Sequence, residues 1–230
     1  MKTYPKKTLV SALSALGFLS MVGATHAAVF EVDFTTAGAF SGQAGQIPNS
    51  PGSNTVFATA LFQDAGAGQV TLTMNVLNNL SAGAYVNDWY FNVSSAPLNS
   101  ITFVPGGVQA TTVENGVNAF KADGTGGDFD FAFHFNTSNP GELAQGSQSV
   151  YTLAGAGITA SSFNSFSVNP GPGGPYISAV HVQGYQENGG SVWIGGTSGG
   201  GGGAQIPEPA TLALIGLGLF GIAATRRRRT

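Results

Sequence analysis

The chain has 230 residues, of which 35 are glycine and 8% are charged, and it contains no cysteine. Typical soluble domains carry about 25% charged residues and about 7% glycine, so this composition is typical of a Gly-rich extracellular β protein, and disulfides and Cys-based zinc sites are excluded. Between residues 28 and 206, one lysine, Lys121, stands against ten carboxylates, a formal charge of −9, so nucleic acid is not expected as a partner.

The first segment, residues 1–27, has the layout of a secretory signal peptide. Three lysines precede an apolar run from Leu9 to Val22, and small residues follow as far as Ala27. We expect an N-terminal signal helix that is removed by cleavage after Ala27 or after Ala28. Residues 28–194 then form one domain that is long enough to bury a core.

Short stretches of alternating or continuous apolar residues, separated by Gly and Pro turns, predict the strands of this domain. They are predicted at residues 29–34, 55–62, 69–76, 89–93, 101–104, 108–113, 117–120, 128–136, 148–153, 163–168, 177–185 and 191–194. We therefore predict an all-β fold, an antiparallel β-sandwich that is jelly-roll-like, with a β-barrel as the competing architecture.

Two local signals give the most specific structural predictions. Asp64–Gly68 is predicted to join two strands as a hairpin, and Glu114–Gly116 is predicted to be the turn of another, because Asn-Gly supplies the positive φ that a type I′ turn needs. In the strand 128–136, alternation places every phenylalanine on one face. We expect these four rings at the centre of the core: Phe129, Phe131, Phe133 and Phe135.

Asp123, Asp128 and Asp130 form a local cluster of carboxylates in a Gly-rich run. Calcium takes about six to eight oxygen ligands, and these side chains with nearby carbonyl groups could supply some of them, although the EF-hand spacing is missing. The hypothesis is a calcium site. The alternative is a polar turn that leads into the phenylalanine strand.

Two other sets of residues are candidates for binding or chemistry. Trp89 and Trp193 could offer flat rings on which sugars stack, and the alternative is that both fill the core. His134 and His181 lie at alternating strand positions, where histidines commonly meet solvent or a backbone group. Because the motifs of hydrolases and nucleotide-binding enzymes are missing, we expect no enzymatic activity, with an extracellular hydrolase as the outside alternative.

The end of the chain follows a Gly-rich linker, residues 195–205, and has three parts. Pro207, Glu208 and Pro209 are followed by an apolar run of 15 residues, 210–224, and then by Arg226, Arg227, Arg228 and Arg229. As a helix, the apolar run covers about 22 Å of a hydrocarbon core about 30 Å thick, which predicts a single short transmembrane helix. The arginines stay in the cytoplasm, so the domain is expected on the other side of the membrane.

This order, spacing and position resemble the C-terminal sorting signal of PEP-CTERM proteins, the substrates of exosortases in Gram-negative bacteria. The resemblance covers residues 206–230. It implies transient anchoring in the inner membrane, cleavage near Pro207–Pro209 by an exosortase, and delivery to the cell surface or the exopolysaccharide matrix. An ordinary C-terminal anchor with a stop-transfer cluster is the alternative, although such an anchor is usually longer.

We therefore expect a secreted structural protein of the cell surface or of an exopolysaccharide-based biofilm matrix. The alternative is a carbohydrate-binding module or lectin of the same fold, calcium-dependent if the aspartates hold a cation. Surface glycans are the expected partners in either case, besides the exosortase during processing.

Overall fold

The computed structural model describes residues 27–42, 54–94, 97–123, 126–171, 174–185 and 190–198. The predicted signal peptide, apart from Ala27, lies outside these described residues, as do most of the predicted linker and the whole sorting signal. Within the described ranges, no helix has the length and apolar character needed to cross a membrane.

The described chain forms twelve β-strands and two short 3₁₀ helices. The strands are β1 (Val29–Thr35), β2 (Ala39–Gly42), β3 (Val56–Gly66), β4 (Gln69–Val76), β5 (Tyr85–Phe91), β6 (Ser100–Phe103), β7 (Thr112–Lys121), β8 (Asp128–His134), β9 (Leu143–Ala144), β10 (Gln148–Ala154), β11 (Ser178–Gln183) and β12 (Ser191–Ser198). The 3₁₀ helices are Thr36–Gly38 and Ala160–Phe163. The last strand runs four residues beyond 194, into the predicted linker.

All paired strands are antiparallel, and they follow one another in two halves. The first half has the order β6-β10-β4-β3-β1, and the second has the order β12-β11-β5-β8-β7, with β2 added to β12 and β9 added to β5. Strand β12 belongs to both halves, because it pairs with β11 through Ser191–Gly196 and with β1 through Thr197 and Ser198. The predicted all-β antiparallel fold is confirmed.

The main core lies between the two halves. Phe62 of β3 contacts Phe91 of β5 with ring centroids 5.4 Å apart, and Tyr151 of β10 contacts Phe133 of β8 at 4.6 Å. These side chains are fully buried or nearly so. Apolar side chains from facing strands thus stabilise a sandwich-like arrangement by removing their surface from water.

The first predicted hairpin is confirmed, and the second is wrong. Strand β7 runs through the predicted turn as one strand against β8, in which Asn115 faces Phe131 and Phe120 faces Phe129. The extra residues between them form a bulge, where Asn118 has a φ of 51° and donates its backbone N–H to Asp130 Oδ1 at 2.9 Å. The Asn-Gly signal therefore marks a bulge, because the Asp130 carboxylate holds the bulged backbone on β8.

The predicted strand 163–168 is wrong, and the predicted strand 108–113 is wrong except for its last two residues, which belong to β7. The segment 108–111 crosses between the halves: Val108 donates its N–H to Gln148 in β10, and Thr111 donates to the carbonyl of His134 at the end of β8. The segment 163–168 follows a 3₁₀ turn, and Val168 makes only an isolated bridge to Asp128. Both segments connect strands of other pairs and do not add to the sheet as strands.

The four predicted core phenylalanines are all buried, but they do not share one core. Three of them lie in β8, and Phe135 follows directly after this strand. Phe131, Phe133 and Phe135 belong to the main core. Phe129 lies on the other side of the sheet, 6.0 Å from Tyr90. The strict alternation fails next to Asp130, the residue of β8 that faces the bulge of β7.

A second, smaller apolar cluster covers the outer side of the second half, and we call it the outer aromatic cluster. Its members are Tyr90, Ala122, Phe129, Ala132 and Ala179, with Phe40, Phe120, Tyr176 and Trp193 packed against them. Gly195 is required there, because a Cβ at this position would lie 2.0 Å from a ring carbon of Tyr176. Loop and edge residues thus cover this face with rings, as satellite clusters under long loops commonly do.

Candidate functional site

The two predicted sugar-stacking tryptophans lie on opposite faces of the sheet. Trp89 is 0% exposed, and its ring contacts Phe34 edge-on at 5.1 Å and stacks with Phe91 at 5.9 Å. Its indole Nε1 donates to Ser178 Oγ at 3.2 Å. The prediction for Trp89 is wrong, because neither face of the ring reaches solvent.

Trp193 lies on the outer face and is half-buried. Its ring stacks on His181 with centroids 4.7 Å apart and an interplanar angle of 2°, and Phe40 lies further away at 6.5 Å. One face of Trp193 is therefore covered by an imidazole. Its role in sugar stacking stays a prediction.

Trp193 is the first member of a row of side chains that crosses the second half of the sheet. The strand register places Trp193 opposite His181, His181 opposite Asp88, and Asp88 opposite His134. Because cross-strand neighbours lie about 5 Å apart, these side chains come within reach of one another on the outer face.

Hydrogen bonds connect the polar members of this row, which we call the histidine–carboxylate row: His181, Asp88, His134 and Glu114. Asp88 Oδ1 lies 2.6 Å from His134 Nδ1, and Asp88 Oδ2 lies 3.1 Å from His181 Nδ1. Glu114 Oε2 lies 3.0 Å from His134 Nε2. A single carboxylate thus holds two imidazoles, and a second carboxylate holds the far nitrogen of one of them.

The surroundings of this row shift the pKa values of its groups. Burial raises the pKa of Asp88, but the hydrogen bonds from His134 and His181 outweigh it and bring the pKa to about 2. The hydrogen bond to Asp88 raises the pKa of His134 above 6.5 in spite of burial, and Glu114 adds to this effect. Burial, with help from Asp88 and Glu114, also raises the pKa of Tyr90 to about 12. Asp88 is therefore charged at any pH well above 2.

The residue pattern predicts that His134 and His181 lie on strands, but it does not identify their partner Asp88. The hydrogen-bonded pairs are separated by 46 and 93 residues in the chain. Alternation along each strand predicts which side chains share a face, but it does not predict which strands are neighbours. The polar Asp88 directly before the aromatic run 89–91 was the available signal.

The three aspartates of the hypothesised calcium site have separate partners. Asp123 contacts the hydroxyl of Ser41, and Asp128 accepts a hydrogen bond from Asn169 Nδ2 at 2.9 Å. Asp130 uses both oxygens to accept backbone N–H groups, each at 2.9 Å. Among the residues that the structure describes, no group of three or more His, Asp or Glu is placed to hold a metal ion. The three carboxylates therefore do not come together as a calcium site.

The arrangement on the outer face can bind polar groups and can hold protons. The side chain of Glu114 is 51% exposed and that of His134 is 27% exposed, so both meet solvent at the end of the row. Both imidazole nitrogens of His134 are bonded to carboxylates. This geometry favours a stabilising role for His134 over the role of a base that is free to take a substrate proton.

Comparison with known protein families matches residues 205–229 to the PEP-CTERM protein-sorting motif. No curated protein and no solved structure matches the chain. The matched segment contains the Pro207–Pro209 triplet and the arginines Arg226–Arg229. The chain therefore carries the PEP-CTERM sorting motif, at the C-terminal position that is typical of exosortase substrates, as the sequence resemblance predicted.

Proposed function

We propose that this protein is exported, sorted by an exosortase, and retained as a structural protein of the cell surface or of an exopolysaccharide-based biofilm matrix. The single observation that carries the proposal is the sorting motif at residues 205–229, which supports an exosortase-sorted, secreted surface protein. The proposed steps are export behind the signal peptide 1–27, transient anchoring in the inner membrane by a short helix, and cleavage near Pro207–Pro209.

The properties of the β domain support a role in binding or scaffolding. One lysine against ten carboxylates between residues 28 and 206 disfavours nucleic acid and anionic lipid as partners. In the histidine–carboxylate row, the histidines and carboxylates are hydrogen-bonded to one another. Because these bonds occupy both nitrogens of His134, they support a function without catalysis. We also propose a jelly-roll-like topology, which is supported by a chain that crosses repeatedly between the two halves of the sheet.

A change in the Pro-Glu-Pro triplet tests the sorting proposal. In the native host, we expect Glu208→Ala to leave uncleaved precursor in the membrane fraction, while the wild type reaches the surface in a shorter form. Immunoblots of membrane, surface and medium fractions measure this, and Glu187→Ala, in the domain, is the matched control. A Glu208→Ala protein that is processed and located like the wild type, together with a wild type that is unchanged in a host without its exosortase, would contradict the proposal.

Carbohydrate binding at the outer face is the second candidate function. The observation that favours it is a set of half-buried rings, Trp193, Tyr176 and Phe40. Of these, Trp193 stacks on His181, which is bonded to Asp88. Rings with a polar rim suit ligands that have both apolar and hydroxyl surfaces. The acidic domain favours neutral or amino sugars over anionic ones, because like charges repel.

Polysaccharide pull-down with the processed protein tests this candidate. We expect Trp193→Ala to abolish binding of a neutral or amino-sugar polymer, and Phe166→Ala to leave it unchanged, because Phe166 is 57% exposed and lies outside the outer aromatic cluster. Absence of binding by the wild type, or equal binding by both variants, would contradict carbohydrate binding at Trp193. The structural role would then be the remaining proposal.

A further inference from the structure

Lys121, Asp128 and Asn169 lie side by side at one end of the second half of the sheet. Lys121 is the last residue of β7 and pairs with Asp128, the first residue of β8. On its other side, Asp128 forms a backbone bridge with Val168, which directly precedes Asn169. A lysine and an asparagine from two different segments therefore flank one aspartate.

The carboxylate of Asp128 contacts both flanking side chains. Asn169 Nδ2 donates to Oδ2 at 2.9 Å, and Lys121 Nζ lies 3.6 Å from Oδ1, beyond hydrogen-bond distance. Asp128 is 6% exposed, and its Oδ1 has no hydrogen-bond partner in the described part of the chain. A buried carboxylate oxygen that accepts no hydrogen bond is costly, and its charged neighbour here is the amine of Lys121.

We propose that Lys121 and Asn169 form an intramolecular isopeptide bond, with Asp128 as the proton-transfer group. The free amine of Lys121 attacks Cγ of Asn169, so that the Nζ–Cγ bond forms and the Cγ–Nδ2 bond breaks. Asp128 takes one proton from Nζ and delivers it to Nδ2, which leaves as ammonia. The step changes no oxidation state and needs no other reactant.

Three features of the geometry favour this reaction. The amine and the amide are held on one carboxylate, which replaces a bimolecular encounter by a local one. The carboxylate already accepts a hydrogen bond from the nitrogen that must leave. The side chain of Lys121 is 68% exposed, so it is free to change its rotamer as Nζ approaches Cγ of Asn169.

The composition also fits a covalent link at this place. The chain has no cysteine, so no disulfide can staple a domain that works outside the cell. A Lys121–Asn169 bond would close a loop through β8 and β10 and would tie the edge strand β7 to the segment after the second 3₁₀ helix. Closing such a loop restricts the unfolded chain, as a disulfide does.

Trypsin gives a direct test, because Lys121 is the only lysine or arginine between residues 8 and 225. The purified protein is unfolded in denaturant, digested, and measured by gel electrophoresis and mass spectrometry. Without the bond, trypsin cuts after Lys121 and yields two large fragments. With the bond, we expect one fragment that spans the domain, with a mass about 17 Da below the sequence value because ammonia has been lost.

Three variants serve as controls. Lys121→Arg keeps the charge and the trypsin site but cannot form the bond, so we expect complete cleavage at position 121. Asn169→Gly accepts the φ of 48° at this position, and we expect cleavage at Lys121 with the full sequence mass. Asp128→Asn is expected to lose most of the cross-linked form. Complete cleavage of the wild type, or a resistant fragment of unreduced mass, would overturn the proposal.

Discussion

The run Trp89-Tyr90-Phe91 shows how much a single residue's position depends on what covers each face. Trp89 and Phe91 point into the main core, and Tyr90, between them, is buried in the outer aromatic cluster. Three aromatic residues in succession predict a strand but hide its alternation, because both faces are covered. Sequence alone therefore gave Trp89 and Trp193 the same sugar-stacking role, although their rings lie on opposite faces.

The difference in burial between Trp89 and Trp193 predicts that their replacement by alanine lowers the free energy of unfolding by different amounts. We expect Trp89→Ala to lower the free energy of unfolding by about 3 to 5 kcal/mol, because it leaves a large cavity beside Phe34 and Phe91. Trp193→Ala should cost less, because this ring is half-buried. Urea unfolding of the two variants measures the costs, and an equal or larger loss for Trp193→Ala would contradict the assignment of the cores.

At the scale of strands, the existence of an element was easier to predict than its neighbours. Periodicity placed β4 and β8 and the hairpin between β3 and β4, because those signals are local. The β7–β8 bulge depends on the Asp130 carboxylate, and the histidine–carboxylate row depends on the order β11-β5-β8-β7. Contacts between residues so far apart in the chain leave no periodic trace in the sequence.

The histidine–carboxylate row predicts a pH dependence of stability. The pKa of His134 is raised in the folded state, so its contribution is fully present below about pH 6.5 and is lost as the pH rises through the folded pKa. The pKa of Asp88 is lowered to about 2, so its contribution is present above pH 3.8 and is lost as the pH falls towards 2. The row therefore stabilises the fold most between about pH 4 and pH 6.5.

Comparison of the wild type with His134→Gln isolates this contribution. We expect the wild type to exceed the variant in unfolding free energy by more at pH 5 than at pH 9. The gain should stay within about 1 kcal/mol, because His134 is partly exposed and solvent screens its charge. Urea unfolding at both pH values measures it, and a difference that is unchanged or larger at pH 9 would show that the row does not act in this way.

For the whole molecule, the two ends of the strand order are protected against pairing with other chains. Strand β6 has only four residues, and β7 carries a bulge and ends in a lysine. Short, bulged and charged edges resist edge-to-edge aggregation. Such edges would suit the proposed role as a protein concentrated at a surface or in a matrix.

The sequence predicts the sorting motif of this protein better than the activity of its domain. The motif at residues 205–229 is a contiguous signal, so order and spacing are visible directly in the chain. The surface of the domain is assembled from strands that are distant in sequence. Trp89, a candidate for this surface, is fully buried in the fold. A contiguous sorting motif can be identified in a single sequence, whereas a surface made of distant strands can be identified only when the fold is known.

The most direct test of the central claim is the C-terminal residue of the protein recovered from the surface or medium of the native cells. Peptide mass spectrometry determines it without any variant. Exosortase sorting predicts a chain that ends near Pro207–Pro209 and lacks the apolar run and Arg226–Arg229. A surface protein that still carries those arginines would contradict the account.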